Sequence, residues 1–166
     1  AAVIDTMNSG TTTCFALGLG GLTEGYVVIT GDEQICRRPV KGQTKAMEEL
    51  GAACIYTRPG NDCPPVLLGG PMKGGVCHLN GFSSQHISGI LLPAPLLDEG
   101  TQTEIIVENP RELPYLQMTI DWMRRYGAEI EYSPDYKHFL VKGGQKYTAV
   151  ESTIPSDWSG VAFPMI

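Results

Sequence analysis

The sequence has no long hydrophobic run and comparatively few basic residues. Its longest apolar stretch, residues 89–97, contains two prolines and is less than half of the roughly 20 residues that span a membrane as a helix. Twelve Lys and Arg stand against eighteen Asp and Glu, for a formal net charge of −6. Such a charge disfavours nonspecific attraction to nucleic-acid phosphates. We therefore predict a protein that binds neither membranes nor nucleic acid.

Residues that ligate metals or form disulfides are also few and poorly spaced. The five cysteines include no C-x-x-C pair, and the three histidines have no close ligand spacing, which argues against a zinc site. An odd number of cysteines argues against a complete disulfide framework. We expect free thiols, a cytoplasmic location and no bound metal. We also expect no targeting signal in the first ten residues, since they lack a basic leader and a cleavage pattern.

Glycine and proline, in contrast, are abundant, with 20 and 12 residues in a chain of 166. This composition is typical of many short strands and turns, and 42% apolar residues are enough to form a core. The length corresponds to one domain or to two tightly fused halves. The predicted fold class is α/β (α+β).

The pattern of predicted elements recurs after about 76 residues. Periodicity predicts α, β, α, β, β in the first half, at residues from 10, 26–30, 39–50, 53–56 and 65–68. The second half reads β, α, β, α, β, β, at residues 76–80, from 84, 103–108, 114–127, 130–132 and 138–141. In both halves the second helix ends in a Gly-Ala pair, with Gly51 and Gly127 at the C′ position, where a left-handed backbone suits glycine.

These boundaries predict repeat units of about 1–75 and 76–150, with a third unit beginning in 151–166. A third helix is expected within residues 156–163, only a few residues before Ile166. Repeat units usually need neighbours to cover their apolar faces, and terminal units are normally capped by polar residues. The apolar ending VAFPMI therefore gives the expectation that the chain is part of a larger assembly of such units.

Small polar clusters precede the predicted first helix of each unit, at residues 8–13, 83–85 and 156–159. The N-terminus of a helix presents unpaired N–H groups and a positive dipole end, so converging helix starts would form an anion pocket. Simple N-capping by Ser, Thr and Asn is the alternative. Arg38 precedes Pro39, which is predicted to open the next helix, and a cation there calls for a compensating anion.

Over nearly the whole chain the sequence resembles the EPSP synthase (3-phosphoshikimate 1-carboxyvinyltransferase) family. The shared motifs include NSGTT, GD-x5-RP, N-x-x-PP, G-x-SSQ, PY-x-x-MT, YGAEIE and KGGQKY. Members of that family are built from repeated β-α-β-α-β-β units in two domains, with helices inside and sheets outside. The resemblance implies most of the first domain.

The resemblance also implies a reaction and a set of ligands. The family transfers the carboxyvinyl group of phosphoenolpyruvate to the 5-hydroxyl of shikimate 3-phosphate, releasing phosphate, without a metal or organic cofactor. By position, Ser83 and Ser84 match serines that hold the phosphate of shikimate 3-phosphate, and Gln85 matches a glutamine between the two substrates. Gly10 and Arg38 match residues of the phosphoenolpyruvate site.

The same resemblance places the proton-transfer groups outside these 166 residues. The resemblance therefore predicts that this chain forms the substrate-facing half of a cleft, and that turnover needs the rest of the enzyme. Cys14 stands where the family usually has an arginine, which removes a positive charge near the pocket. Two alternatives stay open: a UDP-N-acetylglucosamine enolpyruvyl transferase-like segment, and a non-catalytic ligand-binding or interaction domain derived from the fold.

Overall fold

Two four-stranded sheets and four α-helices form the part of the chain that the structure describes. The computed structural model describes residues 2–156, 161 and 164–165, and most of the helix expected at 156–163 lies outside the described residues. The first sheet contains β1 (Ala2–Asp5), β2 (Tyr26–Thr30), β3 (Ala53–Tyr56) and β4 (Val66–Gly69), accompanied by α1 (Gly10–Gly20) and α2 (Lys41–Glu49). The second contains β5 (Gly75–Asn80), β6 (Gln102–Glu108), β7 (Ile130–Tyr132) and β8 (His138–Lys142), accompanied by α3 (Ser84–Leu91) and α4 (Leu113–Arg125).

The two sheets have the same topology. Their strand orders are β1-β2-β4-β3 and β5-β6-β8-β7. In each sheet the first pair of strands is parallel and the other two pairs are antiparallel. Since a parallel pair requires a crossover, α1 connects β1 to β2 and α3 connects β5 to β6. The predicted α/β class with repeated β-α-β-α-β-β units is confirmed.

The sequence patterns missed one strand and misplaced some helix ends. All four residues of β1 are exposed, so the strand has no apolar alternation by which to recognise it. The helix expected at 39–50 begins only at Lys41, because the N–H of Val40 bonds to the carbonyl of Asp62 at 2.8 Å. Pro39 is therefore outside α2. The helix expected at 114–127 spans Leu113–Arg125.

The glycine turns that end α2 and α4 are confirmed as matching structures. Gly51 and Gly127 have φ values of +95° and +92°. In both turns the glycine N–H bonds three residues back, at 3.0 and 2.9 Å, and the following alanine N–H bonds five residues back, at 3.0 Å. These are Schellman motifs, which turn each helix into the next strand.

The helices occupy the interior, and one face of each sheet covers them. Side chains from both sheets and all four helices join a single apolar cluster, including Leu17, Ile29, Ile90, Ile105 and Phe139, each at most 1% exposed. Strands such as β6 alternate buried and exposed positions, as expected for a sheet with one face toward solvent. No helix in the described ranges is long and apolar enough to cross a membrane.

Helices α1 and α3 approach so closely that only glycine fits at their contact. A Cβ atom added to Gly18 would lie 1.8 Å from the carbonyl oxygen of Gly89. A Cβ atom added to Gly89 would lie 2.7 Å from the carbonyl oxygen of Cys14. Gly18 and Gly89 lie in the C-terminal halves of their helices. The N-terminal halves of α1 and α3 also lie side by side, where Gln85 donates a hydrogen bond to Thr11, and the candidate site lies there.

Candidate functional site

Three of the residues singled out from the sequence converge between α1 and α3. A Cβ atom added to Gly10 would lie 2.8 Å from Nη1 of Arg38 and 3.5 Å from Oε1 of Gln85. Gly10 opens α1, Gln85 lies in the first turn of α3, and Arg38 follows the short 3-10 helix Ile35–Arg37. The absence of a side chain on Gly10 leaves room for the guanidinium beside the start of α1.

The guanidinium of Arg38 has no carboxylate partner among the described residues. Arg37, its neighbour, forms an ion pair with Glu33 instead. Arg38 is exposed and lines a cavity of about 260 Å³ together with Gly10, Ser83, Gln85 and residues of the adjoining loops. A cation that lacks an internal partner and faces a cavity can bind an anion there.

Gln85 is held in place by contacts to α1. Its Nε2 donates a hydrogen bond to Oγ1 of Thr11 at 3.1 Å, and Sγ of Cys14 lies 3.9 Å from its Oε1. Gln85 lines the Arg38 cavity and also a second cavity of about 380 Å³. The glutamine thus forms the wall that the two cavities share.

Ser83 and Ser84, although adjacent, lie in different surroundings. Ser83 is the N-cap residue of α3, is half-buried, and makes no side-chain capping hydrogen bond; it lines the Arg38 cavity. Ser84 is only 3% exposed and lines the second cavity. The structure therefore places the five residues from the sequence at one locus, with Gln85 at its centre.

Glu112 is a residue of this locus that the sequence analysis did not find. Its Oε2 accepts hydrogen bonds from the hydroxyl of Ser84 at 2.7 Å and from the N–H of Ser84 at 3.0 Å. These two bonds lower the pKa of Glu112, most strongly the one from the hydroxyl. The contact joins residues 28 positions apart, so no local sequence pattern could have revealed it.

Burial keeps two other ionisable groups of the Arg38 cavity uncharged. It raises the pKa of the Cys14 thiol to about 11, although Arg38 acts in the opposite direction. Burial also lowers the pKa of His86. Arg38 is therefore the cationic group of this cavity at neutral pH, and Cys14 is a neutral thiol there.

The lining of the second cavity includes a hydrogen-bonded pair of buried hydroxyls. Ser88 on α3 and Thr119 on α4 lie 2.8 Å apart through their oxygen atoms. The Thr119 hydroxyl also donates to the carbonyl of Tyr115 at 2.9 Å. These bonds fix α4 against α3 and so hold the cavity wall in position.

An α/β protein with this layering and two adjoining cavities beside helix N-termini has the features of a protein that binds small ligands between its helices. The comparison with known families makes the assignment specific. The sequence model of the family described as EPSP synthase (3-phosphoshikimate 1-carboxyvinyltransferase) matches residues 1–166. The chain belongs to the EPSP synthase family. Of the two enolpyruvyl transferase families that the sequence left open, this match supports the EPSP synthase family.

Similar proteins agree with this assignment. The chain is 40% identical to a 3-phosphoshikimate 1-carboxyvinyltransferase of Acetivibrio thermocellus over 97% of its own length and 37% of that protein. It is 41% identical to the enzyme of that name from Methanothrix thermoacetophila over 98% of its length and 38% of that protein. A structure of EPSP synthase from Acinetobacter baumannii superposes with a TM-score of 0.81 at 29% identity, covering 99% of this chain and 36% of the other. The chain thus spans little more than a third of the length of these relatives.

Proposed function

We propose that this chain supplies the substrate-facing half of an EPSP synthase active site, with shikimate 3-phosphate and phosphoenolpyruvate as its ligands. The observation that carries the proposal is the position of Gln85 between two cavities, since a transferase must hold two substrates side by side. Family membership gives those two substrates their chemical identity.

We place phosphoenolpyruvate in the cavity that Gly10 and Arg38 line. The guanidinium would bind its carboxylate or phosphate, and the start of α1 would add N–H donors. Shikimate 3-phosphate would place its phosphate at the start of α3, with Ser83 and Ser84 as donors. Gln85 would then contact both substrates, so that its amide could position the 5-hydroxyl near the enolpyruvyl group.

The chemistry itself joins the 5-hydroxyl oxygen to C2 of phosphoenolpyruvate and then expels phosphate through a tetrahedral intermediate. In the addition the hydroxyl loses its proton and C3 of phosphoenolpyruvate gains one, and in the elimination C3 loses a proton as the bond from C2 to the phosphate oxygen breaks. We propose that the groups responsible lie outside these 166 residues. The residues of the two cavities bind the substrates, neutralise their charge and orient them. We expect the 166-residue chain to show ligand binding without substantial turnover.

A cytoplasmic location is also part of the proposal. All five cysteines are free thiols in the structure, and Cys14, Cys63 and Cys77 are buried. Free thiols are typical of reducing compartments.

The proposal can be tested by two-dimensional NMR titration of the 166-residue chain with each substrate. Phosphoenolpyruvate should shift the backbone amides near Gly10 and Arg38, and Arg38→Ala should abolish those shifts. Arg37→Ala is the matched control, because it removes a neighbouring exposed guanidinium that is paired with Glu33. It should leave the titration unchanged.

Shikimate 3-phosphate should shift the amides of residues 83–85, and Ser84→Ala, which changes a residue that lines only the second cavity, should weaken its binding without affecting phosphoenolpyruvate. Shikimate, which lacks the phosphate, is the ligand control. If neither substrate shifts any amide of the two cavities in a folded sample, the proposed site is wrong. A measured phosphate release by the chain alone, dependent on both substrates, would contradict the placement of the proton-transfer groups elsewhere.

A further inference from the structure

The N-terminus of α3 already holds an anion that belongs to the protein. One carboxylate oxygen of Glu112 accepts both the hydroxyl and the backbone N–H of Ser84, at 2.7 and 3.0 Å. Ser84 is the first residue of α3, where the unpaired N–H groups and the helix dipole favour negative charge. The carboxylate thus occupies the same donors that the proposed function gives to the phosphate of shikimate 3-phosphate.

Nothing else in the described ranges binds the Glu112 carboxylate. No Lys, Arg or His forms an ion pair with it there. Arg111, the cation next to it in sequence, lies over the ring of Phe82, with Cζ 5.7 Å from the ring centroid. Glu112 is exposed, so its side chain can leave Ser84 and enter water without crossing a packed region.

The backbone of Glu112 also has an unusual conformation. Its φ and ψ are +55° and +39°, in the left-handed region, at the N-cap position of α4. A residue other than Gly, Asn or Asp is uncommon in this region. Glu112 therefore precedes α4 in a strained backbone conformation, and its side chain reaches back to α3. Release of its carboxylate from Ser84 leaves α4 intact, because that helix begins only at Leu113.

We infer that Glu112 is an intramolecular competitor for the phosphate position of shikimate 3-phosphate and limits the affinity of this half-site for phosphorylated ligands. The inference rests on the proposed function of the site. A phosphate dianion and the carboxylate cannot share the Ser84 hydroxyl and N–H at hydrogen-bonding distance, because each donor has one proton and the two anions repel each other. Glu112 must move away before the phosphate binds.

The competition has a clear signature in ligand choice. Shikimate has no phosphate to place at Ser84, so its binding does not require Glu112 to leave. Removal of the Glu112 charge should consequently strengthen binding of shikimate 3-phosphate and leave binding of shikimate nearly unchanged. If Glu112 affected only the folding of the chain, its replacement would change the affinities for both ligands together.

The test measures dissociation constants of both ligands for the 166-residue chain by NMR titration or calorimetry. Glu112→Gln keeps the size of the side chain and removes its charge. Glu112→Asn shortens the side chain and suits the left-handed backbone, so it serves as a second variant if the first folds poorly. Glu24→Gln is the matched control, because Glu24 is an exposed carboxylate beyond the opposite end of α1 and forms no ion pair or side-chain hydrogen bond within the described ranges.

We expect either Glu112 variant to lower the Kd of shikimate 3-phosphate at least tenfold, equivalent to about 1.4 kcal/mol, and to change the Kd of shikimate less than twofold. Glu24→Gln should change neither. The amide resonance of Ser84 should shift in the free variants, since it loses a charged acceptor. If the wild-type chain and the variants bind shikimate 3-phosphate equally well, the competition is refuted while the proposed function stands. If neither the wild type nor any variant binds it, both proposals fail.

Discussion

Replacement of Gly18 by alanine tests whether the contact between α1 and α3 supports the fold. The added Cβ atom would lie 1.8 Å from the carbonyl oxygen of Gly89 and 2.9 Å from its carbonyl carbon. An ordinary contact begins near 3.4 Å. Because the obstacle is backbone, no side-chain rotation relieves the clash, and the helices must separate by about 1.6 Å at this point.

The expected energy follows from two opposing effects. Overpacking of a well-packed core costs about 1–3 kcal/mol, and a backbone clash belongs at the upper end. Alanine inside a helix is more favourable than glycine by about 0.5–1 kcal/mol. The free energy of unfolding should therefore fall by about 2 kcal/mol, which changes the folding equilibrium by roughly 30-fold.

Urea unfolding of the 166-residue chain, followed by circular dichroism, measures this loss. With a denaturant dependence of about 2 kcal/mol per molar, the midpoint should fall by about 1 M. Gly25→Ala is the matched control, because its Cβ atom would meet nothing within 4 Å, and it should leave the midpoint within about 0.3 M of the wild type. Equal midpoints for Gly18→Ala and Gly25→Ala would show that the close approach of α1 and α3 is not as described.

Two further predictions concern the Arg38 cavity. Gly10→Ala places a Cβ atom 2.8 Å from Nη1 of Arg38. Since the flexible Arg38 side chain can move away, the urea midpoint should stay constant, while the Kd of phosphoenolpyruvate should rise about tenfold because a charge-assisted bond is lost. A Kd that is unchanged in NMR titration would contradict this. The Cys14 thiol, whose pKa burial raises to about 11, should be only about 0.1% thiolate at pH 8, so iodoacetamide labelling followed by mass spectrometry should detect slow modification that accelerates up to about pH 11. Labelling of Cys14 at pH 8 as fast as free cysteine would refute the stated environment.

The repeated fold could be predicted from sequence because its strongest signals are local. The glycines at 51 and 127 end equivalent helices with left-handed turns, and a short pattern of apolar and glycine residues is enough to find them. Amphipathic strands such as β6 carry their own alternation. In contrast, β1 is exposed along its whole length, and only its pairing with β2 defines it.

The candidate site was predicted in part, through the resemblance of short motifs. Those motifs identified Gly10, Arg38 and the 83–85 cluster, and the structure brings these residues together. They could not identify Glu112, because its contact with Ser84 depends on how α4 packs against α3. The sequence likewise gave no sign that Gly18 and Gly89 touch, since the two glycines become neighbours only when the helices cross.

The two repeats satisfy the N–H donors of their equivalent helix starts in different ways. In α1 the side chain of the N-cap residue Ser9 accepts the N–H of Thr12 at 3.1 Å, so the helix start is capped from within. In α3 the N-cap residue Ser83 makes no such bond, and the donors of Ser84 are bound by an exposed carboxylate from another helix. A cap within the same turn is lost only when the turn unfolds, whereas a carboxylate at the surface can exchange with a ligand. On our proposal, the phosphate of shikimate 3-phosphate therefore replaces the Glu112 carboxylate at the start of α3, and the charge of Glu112 determines how readily it does so.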